Sequence, residues 1–248
     1  MFRKLASLFI LLLLWFGVSY NLSLNFFPSP IDVLHILVNP KIFYTIVTNV
    51  FISLGRVVTA LICAFTPAMV LSILTSRSTK LSQLFNPIIY MLFPVPKIAL
   101  LPIILLFLGL GNLSKIFLVA LIVFFQFYIT ISDGIRHIDK KYFESFSSLG
   151  GSTVQSIIHI ILPASLPRVF STLRLTMGTS IAVLFMTETY ASRSGIGWYI
   201  MDAWSRFSYI EMYAGIVFLG LTGFLLVELI NVGEYFCCPW LRNNNSSA

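Results

Sequence analysis

The chain has 248 residues, of which 58% are hydrophobic and only 10% are charged, and its mean hydropathy is +0.92. Soluble domains carry about a quarter charged residues, so this composition excludes an ordinary soluble protein and predicts a polytopic membrane protein. The length leaves no room for a soluble catalytic domain beside several spans, and we attribute the net charge of +7 to membrane orientation rather than to nucleic-acid binding.

Apolar segments of roughly 20 residues, enough to cross a bilayer as a helix, recur along the chain. They predict an all-α fold with about six transmembrane helices in a single domain over residues 1–248, with a core bundle from about 46 to 236. The predicted spans are Leu5–Tyr20, Ile46–Leu74, Leu84–Leu110, Leu113–Ile131, Val169–Ala191 and Met212–Phe236. We interpret the first as a retained helix rather than a signal peptide, because no small-residue cleavage site precedes Asn21.

The third predicted span contains four prolines, Pro87, Pro94, Pro96 and Pro102. Prolines persist within a membrane only where protein or water satisfies the carbonyls that they free. We therefore expect this helix to be kinked and to lie inside the bundle.

The basic residues predict the orientation of the chain. With the N-terminus inside, ten Lys and Arg residues are cytoplasmic and four are outside, which is a positive-inside bias and predicts that both termini are cytoplasmic. The ten are Arg3, Lys4, Arg77, Lys80, Arg136, Lys140, Lys141, Arg168, Arg174 and Arg242. The polar tail Asn243–Ala248 follows them.

A long polar segment, Gly134–Pro167, separates two of the predicted spans and would face the cytoplasm. Its first part predicts a helix from Asp139 to Leu149 that Gly150–Gly151 terminate and that carries an apolar stripe. The stripe consists of Tyr142, Phe143, Phe146 and Leu149. Ser152 and Gln155 have capping-box spacing and predict a second helix, which would stop at Leu162–Pro163.

These two short helices would form a rigid corner, which we call the elbow (Asp139–Pro163). A long, structured connection of this kind is typical of a functional loop, and Phe143 and Phe146 would be exposed on it unless a partner covers them. From the residues alone, the elbow is either a docking surface or an amphipathic helix that lies on the membrane.

Ionisable residues within the spans suggest function or pairing. Arg56 either lines the solute pathway or forms a structural pair, and Glu188 either gates the outer cavity or pairs with Arg56 or Arg193. The histidines and cysteines show no metal-ligand spacing, and no phosphate-binding GxxxxGK[ST] loop occurs. If ATP drives this protein, we expect the ATPase to be another chain.

The order of Glu144, Gly150 and Ile161-Leu162-Pro163 resembles the "EAA" loop of ABC importer permeases, although Ser145 and Phe146 stand where that family has two small residues. Further short motifs resemble the permeases for sulfonates, taurine and nitrate in the same order along the chain. These are Phe27-Pro28-Ser29-Pro30, Ser53-Leu54-Gly55-Arg56-Val57, Phe93-Pro94-Val95-Pro96, Leu101-Pro102, Leu110-Gly111 with Ser114-Lys115, and Glu188 followed by Gly195-Ile196-Gly197.

The resemblance implies the type I ABC importer fold and a permease in a bacterial inner membrane. It implies that two copies form the path, that each docks one of two ATPase subunits, and that an extracytoplasmic binding protein delivers the solute. Arg56 and the basic residues expected outside favour a small anion as that solute, such as a sulfonate, taurine, nitrate or bicarbonate. No cofactor is expected on this chain, since ATP and Mg²⁺ would bind the ATPases. The implied coupling residues are Asp139, Tyr142, Phe143, Glu144, Phe146, Leu149, Gly150, Leu162 and Pro163, and the implied pathway or gating residues are Arg56, Pro94, Pro96 and Glu188.

A proton-coupled secondary transporter that uses Glu188 or Glu228 as a proton carrier is the alternative. It accounts for the carboxylates within the spans but gives the elbow no role. A structural membrane-assembly protein would need neither the intramembrane charges nor the proline-rich third span.

Overall fold

The computed structural model describes residues 2–22 and 26–240, and these residues form helices and connecting loops without a β-strand. The predicted cytoplasmic Arg242 and the tail Asn243–Ala248 lie outside the described residues. The helices are α1 (Phe2–Leu22), α2 (Pro30–Ile36), α3 (Pro40–Arg77), α4 (Thr79–Leu92), α5 (Leu101–Leu108), α6 (Asn112–Arg136), α7 (Lys140–Ser148), α8 (Thr153–Ser156), α9 (Leu162–Ala191), α10 (Ile196–Ser205) and α11 (Tyr209–Cys237). The all-α fold predicted from the sequence is confirmed.

Within the described residues, four unbroken helical segments are long and apolar enough to cross a membrane: Pro40–Arg77, Asn112–Arg136, Thr153–Tyr190 and Tyr209–Cys237. A fifth span is possible if α4 and the helix after it, which meet at 85°, count as one broken crossing. In α1 the apolar stretch covers Phe9–Asn21, which is shorter than a full span. The sixth crossing, predicted at Leu5–Tyr20, therefore stays a prediction.

The third predicted span is broken, as its prolines indicate. Helix α4 ends at Leu92, and a 3-10 turn over Lys97–Leu100 leads into α5. The break lies at Pro94 and Pro96, because neither residue has a backbone N–H that could continue the helix. Pro87, within α4, is tolerated without a break.

Two compact units can be distinguished in the chain, and each is described by itself. The first comprises Met1–Gly55 and Phe185–Thr222. Its hydrophobic core brings α2, α3, α10 and α11 together through Val33, Ile46, Ile196, Tyr199, Ile200 and Ala214. A capping box between Ser29 and Asp32 starts α2, and the Ser29 hydrogen bonds hold the pKa of the Asp32 carboxyl below its ordinary value.

The second unit comprises Arg56–Leu184 and Gly223–Ala248, and α6 lies at its centre. Leu118, Val119, Val123, Phe127 and Ile131 of α6 are fully buried. The Tyr128 hydroxyl on the same helix bonds to Thr75 of α3 and to Asn86 of α4. In a bilayer, where apolar contact alone does not drive helices together, polar bonds of this kind contribute about 1 kcal/mol each.

Candidate functional site

The elbow begins with helix α7, and a side-chain cap fixes the start of this helix. The Asp139 carboxylate accepts a hydrogen bond from the Lys141 backbone N–H at 3.0 Å and so caps the helix, as predicted. The helix ends at Ser148 with Leu149 as its cap, one residue short of the predicted end. Asp139 and Glu144 are both exposed, and no residue of α7 is buried.

The corner of the elbow depends on both glycines of the Gly150–Gly151 pair, for different reasons. Gly150 has φ +81°, a left-handed conformation that L side chains rarely adopt. A Cβ on Gly151 would lie 2.2 Å from the Phe146 ring, so only glycine lets the turn pack against that ring. The Gly151 N–H also donates to the Phe146 carbonyl at 3.1 Å, which closes the end of α7.

The second arm of the elbow starts as predicted but does not stop where the sequence suggested. Ser152 and Gln155 form the capping box in both directions. A π-helical turn, Ile157–Ile161, then leads directly into α9 at Leu162, so the predicted stop at Leu162–Pro163 is wrong. Pro163 would clash with the carbonyl four residues before it in a regular helix, and the wider π turn provides the room that it needs.

The predicted apolar stripe of α7 divides into two sets. Phe143 and Phe146 are half-buried: the Arg77 guanidinium lies 4.9 Å from the Phe143 ring centroid, and the Phe146 ring stacks on His159 at 6.1 Å. Tyr142 and Leu149 are 66% and 87% exposed. The side chains available to a partner therefore include Tyr142 and Leu149 on one side of α7 and Glu144 on the opposite side, rather than the two phenylalanines.

In the first unit, a fully buried carboxylate holds the start of helix α10. Glu188 on α9 accepts hydrogen bonds from the Ser53 hydroxyl at 2.8 Å and from the Gly197 backbone N–H at 2.9 Å. The Ser53 oxygen in turn accepts from the Ile196 N–H at 2.8 Å, and Asn49 accepts from the Gly195 N–H at 2.8 Å. The three consecutive N–H groups at this helix end are thus all satisfied.

This arrangement, which we call the Glu188 clamp (Asn49, Ser53, Glu188 and the N–H groups of residues 195–197), replaces a local cap. The residue at the cap position is Gly195, which has no side chain to accept the free N–H groups of the first turn. A Cβ on Gly195 would lie 2.3 Å from the Glu188 carboxylate, so the glycine also makes room for the clamp. A negative charge at a helix N-terminus is further stabilised by the helix dipole.

At its other end, α10 is followed by an ion-pair cluster. Arg206 donates to Asp202 at 2.9 Å and to Glu211 at 3.0 Å. The bond to Glu211, followed by that to Asp202, raises the pKa of the Arg206 guanidinium above its ordinary value. These pairs and the clamp fix both ends of the Gly195–Glu211 segment within the first unit.

The predicted pathway residues of the second unit are not gathered at one point. Arg56 is 5% exposed, and its Nε donates to the Asn112 side chain at 3.0 Å, at the start of α6. Pro94 and Pro96 are exposed at the break of the third span. Whether any of these residues meets solute stays a prediction, and so does the suggested pairing of Glu188 with Arg193.

Two buried lysines complete the broken span, a role that sequence reasoning missed. The Lys97 ammonium donates to the carbonyls of Leu92 and Phe93 at 2.8 Å each and of Val95 at 3.3 Å. Lys115 donates to the carbonyls of Leu110 and Gly111 at 3.0 Å. An ammonium has three N–H donors, so Lys97 has none left for a solute. The nearby prolines were the available signal, because they free the carbonyls that a donor must satisfy.

Replacing Lys97 tests this role. We expect Lys97→Met to lower the free energy of unfolding by about 2 kcal/mol, because three carbonyls lose their donor inside an apolar environment. Thermal unfolding in detergent measures the loss. Lys80→Met, at an exposed position, is the matched control and should change little. Equal stability of both variants would show that the carbonyls find other donors.

Comparison with known proteins agrees with this architecture. Residues 57–235 match the family model of the binding-protein-dependent transport system inner membrane component. The chain is 28% identical to the taurine transport system permease protein TauC of Escherichia coli K12, over 96% of this chain and 89% of TauC. It is 34% identical to the Bacillus subtilis permease protein SsuC, whose name links it to aliphatic sulfonates, over 71% of this chain. That alignment spans 63% of SsuC, less than two thirds of its length.

Among solved structures, a bacterial ABC transporter involved in the import of the acidic polysaccharide alginate aligns with a TM-score of 0.65 at 17% identity. The alignment covers 94% of this chain and 95% of that one. At this identity, the similarity concerns the fold alone, and the fold is that of an ABC importer permease. The relatives of this chain by sequence are permeases named for sulfonates, taurine and nitrate. The chain therefore belongs to the inner-membrane components of binding-protein-dependent transport systems, the permeases of ABC importers.

Proposed function

We propose that the elbow docks an ATP-hydrolysing subunit and transmits its movement to the spans. The observation that carries this proposal is the continuity of the second arm with α9: the chain runs from the Gly150 corner through the π turn into a 38-residue span, Thr153–Tyr190, without a loop. A displacement of the corner is therefore transmitted to a helix that crosses the membrane. The exposed α7 offers a partner Tyr142 and Leu149 on one side and the charged Glu144 on the other.

In the assembly that we propose, two copies of this chain form a central path and each docks one ATPase. Both termini and the elbow are cytoplasmic, consistent with the excess of basic residues on that side. An extracytoplasmic binding protein delivers solute at the opposite face. ATP binding stabilises one of two conformations of the permease pair and its hydrolysis the other, which gives alternating access.

Co-purification tests the docking surface directly. The wild-type chain, isolated from its host in mild detergent, should retain an ATPase subunit in equal amount. Reversing the surface charge with Glu144→Lys should weaken this association, whereas Lys80→Glu, a charge reversal at an exposed position outside the elbow, is the control and should leave it unchanged. If the Glu144→Lys chain retained the ATPase subunit as well as the wild type, Glu144 would not be part of the docking surface.

The solute that we propose is a small anion such as a sulfonate, taurine, nitrate or bicarbonate. The names of the relatives support this class, and Arg56 supplies a buried cation within the second predicted span. Glu188 is a poor ligand for an anion, and its hydrogen bonds instead suit a structural or gating role.

Substitution of Arg56 tests the charge of the solute. We expect Arg56→Ala to reduce uptake of an anionic solute about tenfold more than uptake of a neutral analogue, because a charge-assisted contact is lost only for the anion. Asn112→Ala, which removes a partner of Arg56 but keeps its charge, should affect both solutes alike. Equal losses for both solutes in Arg56→Ala would make this arginine purely structural.

A further inference from the structure

A cavity in the second unit adjoins the exposed face of the elbow and shares Tyr142 with it. Its volume is about 570 Å³, which is within the range of small-molecule sites, roughly 300–1,000 Å³. The ends of three spanning segments contribute to its wall: the end of α6 with His137, the first turns of α9 with Arg168, and Trp240 just beyond α11. Span ends lie at the depth of the lipid headgroups, so the cavity opens where a headgroup is available.

The cationic group in this wall is the Arg168 guanidinium. Within residues 2–22 and 26–240, the Arg168 guanidinium makes no hydrogen bond or ion pair. Arg168 is exposed, and the stem of its side chain passes Gly134, where an added Cβ would lie 3.1 Å from its Cγ. An arginine whose planar fork of donors meets no partner among the described residues suits a phosphate group.

Besides the Trp240 indole N–H, which donates, and the Tyr142 hydroxyl, which can donate or accept, the wall holds three groups that can accept hydrogen bonds. His137 Nδ1 lies 2.6 Å from the Asp133 carbonyl, and His159 Nδ1 lies 2.9 Å from the Gln155 carbonyl. A carbonyl can only accept, so each Nδ1 carries the hydrogen, and Nε2 in that tautomer is the acceptor. Asp139 adds a carboxylate, one oxygen of which accepts from the Lys141 N–H. The wall therefore offers one cation, three sets of acceptors, and the aromatic rings of Tyr142 and Trp240.

We propose that this cavity binds a membrane phospholipid through a headgroup that carries both a phosphate and a primary ammonium, as in phosphatidylethanolamine. Arg168 binds the phosphate, and the three N–H donors of the ammonium match Asp139 and the two imidazoles. The aromatic rings favour the cation further. A choline headgroup has no N–H to donate, and a glycerol headgroup lacks the positive charge, so both fit the wall less well.

The occupied cavity would connect the elbow to the membrane. Asp139 begins α7, His159 lies in the π turn, and Arg168 belongs to α9, so one lipid would contact both arms of the elbow and the span that follows. This inference goes beyond the proposed docking role. A failure of lipid binding would leave the docking of an ATPase untouched, because docking is measured by co-purification.

Native mass spectrometry of the purified transporter complex, equilibrated with equal amounts of phosphatidylethanolamine, phosphatidylglycerol and phosphatidylcholine, tests the proposal. We expect one retained phosphatidylethanolamine per permease chain, with about a tenfold preference over the other two lipids. Arg168→Gln should reduce this retention about tenfold. Arg136→Gln, a nearby cation that does not line the cavity, is the matched control and should retain the lipid.

Unchanged retention in Arg168→Gln, or equal retention of phosphatidylglycerol, would overturn the proposal. So would displacement of the lipid by millimolar inorganic phosphate alone, since the cavity would then be a site for a free anion. Equal yield of the ATPase with each variant establishes that the chain is folded and assembled. Lipid bound to the isolated permease but absent from the complex would show that the ATPase occupies this cavity, which also contradicts the proposal.

Discussion

Glu188→Ala is expected to lower the free energy of unfolding by about 3 kcal/mol and to abolish uptake. The substitution leaves the Gly197 N–H and the Ser53 hydroxyl without their buried acceptor, and each such loss costs roughly 1–3 kcal/mol. With no local cap at Gly195, the start of α10 is then no longer fixed. Thermal unfolding in detergent and uptake in vesicles measure the two effects.

Glu188→Gln separates a clamp from a proton carrier. The amide oxygen of glutamine still accepts hydrogen bonds from Gly197 and Ser53, so we expect most of the stability and uptake to remain. A carrier that must ionise would lose all transport in this variant. Glu211→Gln is the matched control in the same unit: its carboxylate bonds to Arg206 at a partly exposed site, where ion pairs contribute about 0–1 kcal/mol. If Glu188→Ala were no less stable than Glu211→Gln, the clamp would not contribute to the stability of the protein.

Gly150→Val is expected to uncouple ATP hydrolysis from transport while the protein still inserts and binds its ATPase. The φ of +81° is strained for any L residue and most of all for a β-branched one, so the corner must adopt another conformation. The second arm and α9 then no longer follow the movement of α7. We expect uptake to decrease by about tenfold or more at nearly constant hydrolysis, which corresponds to at least roughly 1.4 kcal/mol of lost coupling.

Gly150→Asn provides the control for this prediction, because asparagine tolerates the left-handed conformation better than other non-glycine residues. It adds a polar side chain at the same position, where a Cβ meets no atom within 4 Å. Uptake should therefore remain close to that of the wild type. If ATP hydrolysis in Gly150→Val still drove uptake as in the wild type, the conformation of the corner would not be needed for coupling.

The features predicted correctly from the sequence depend on residues close together in the chain. Asp139 caps α7, Ser152 and Gln155 form their capping box, and Gly150 turns the corner, each through contacts within a few residues. The break at Pro94 and Pro96 likewise follows from the missing N–H groups. Local interactions of this kind can be predicted from the sequence without a structure.

The features that were missed depend on tertiary contacts or on a backbone form without a sequence signature. Ser53 is 135 residues from Glu188, so no spacing rule connects them. The exposure of Tyr142 and Leu149, rather than of the two phenylalanines, depends on Arg77 and His159 packing against the rings. The predicted helix end at Leu162–Pro163 was wrong, because the π turn before it gives the proline room that a regular helix lacks.

Uptake by the reconstituted transporter tests the central claim most directly. Vesicles that contain this chain, its ATPase and its binding protein would be loaded with ATP on the side of the elbow, and entry of a labelled sulfonate or taurine would be followed with and without a proton gradient. We predict uptake that requires ATP hydrolysis and the binding protein and that does not change when the gradient is removed. Uptake driven by the proton gradient in vesicles without ATP would contradict the account.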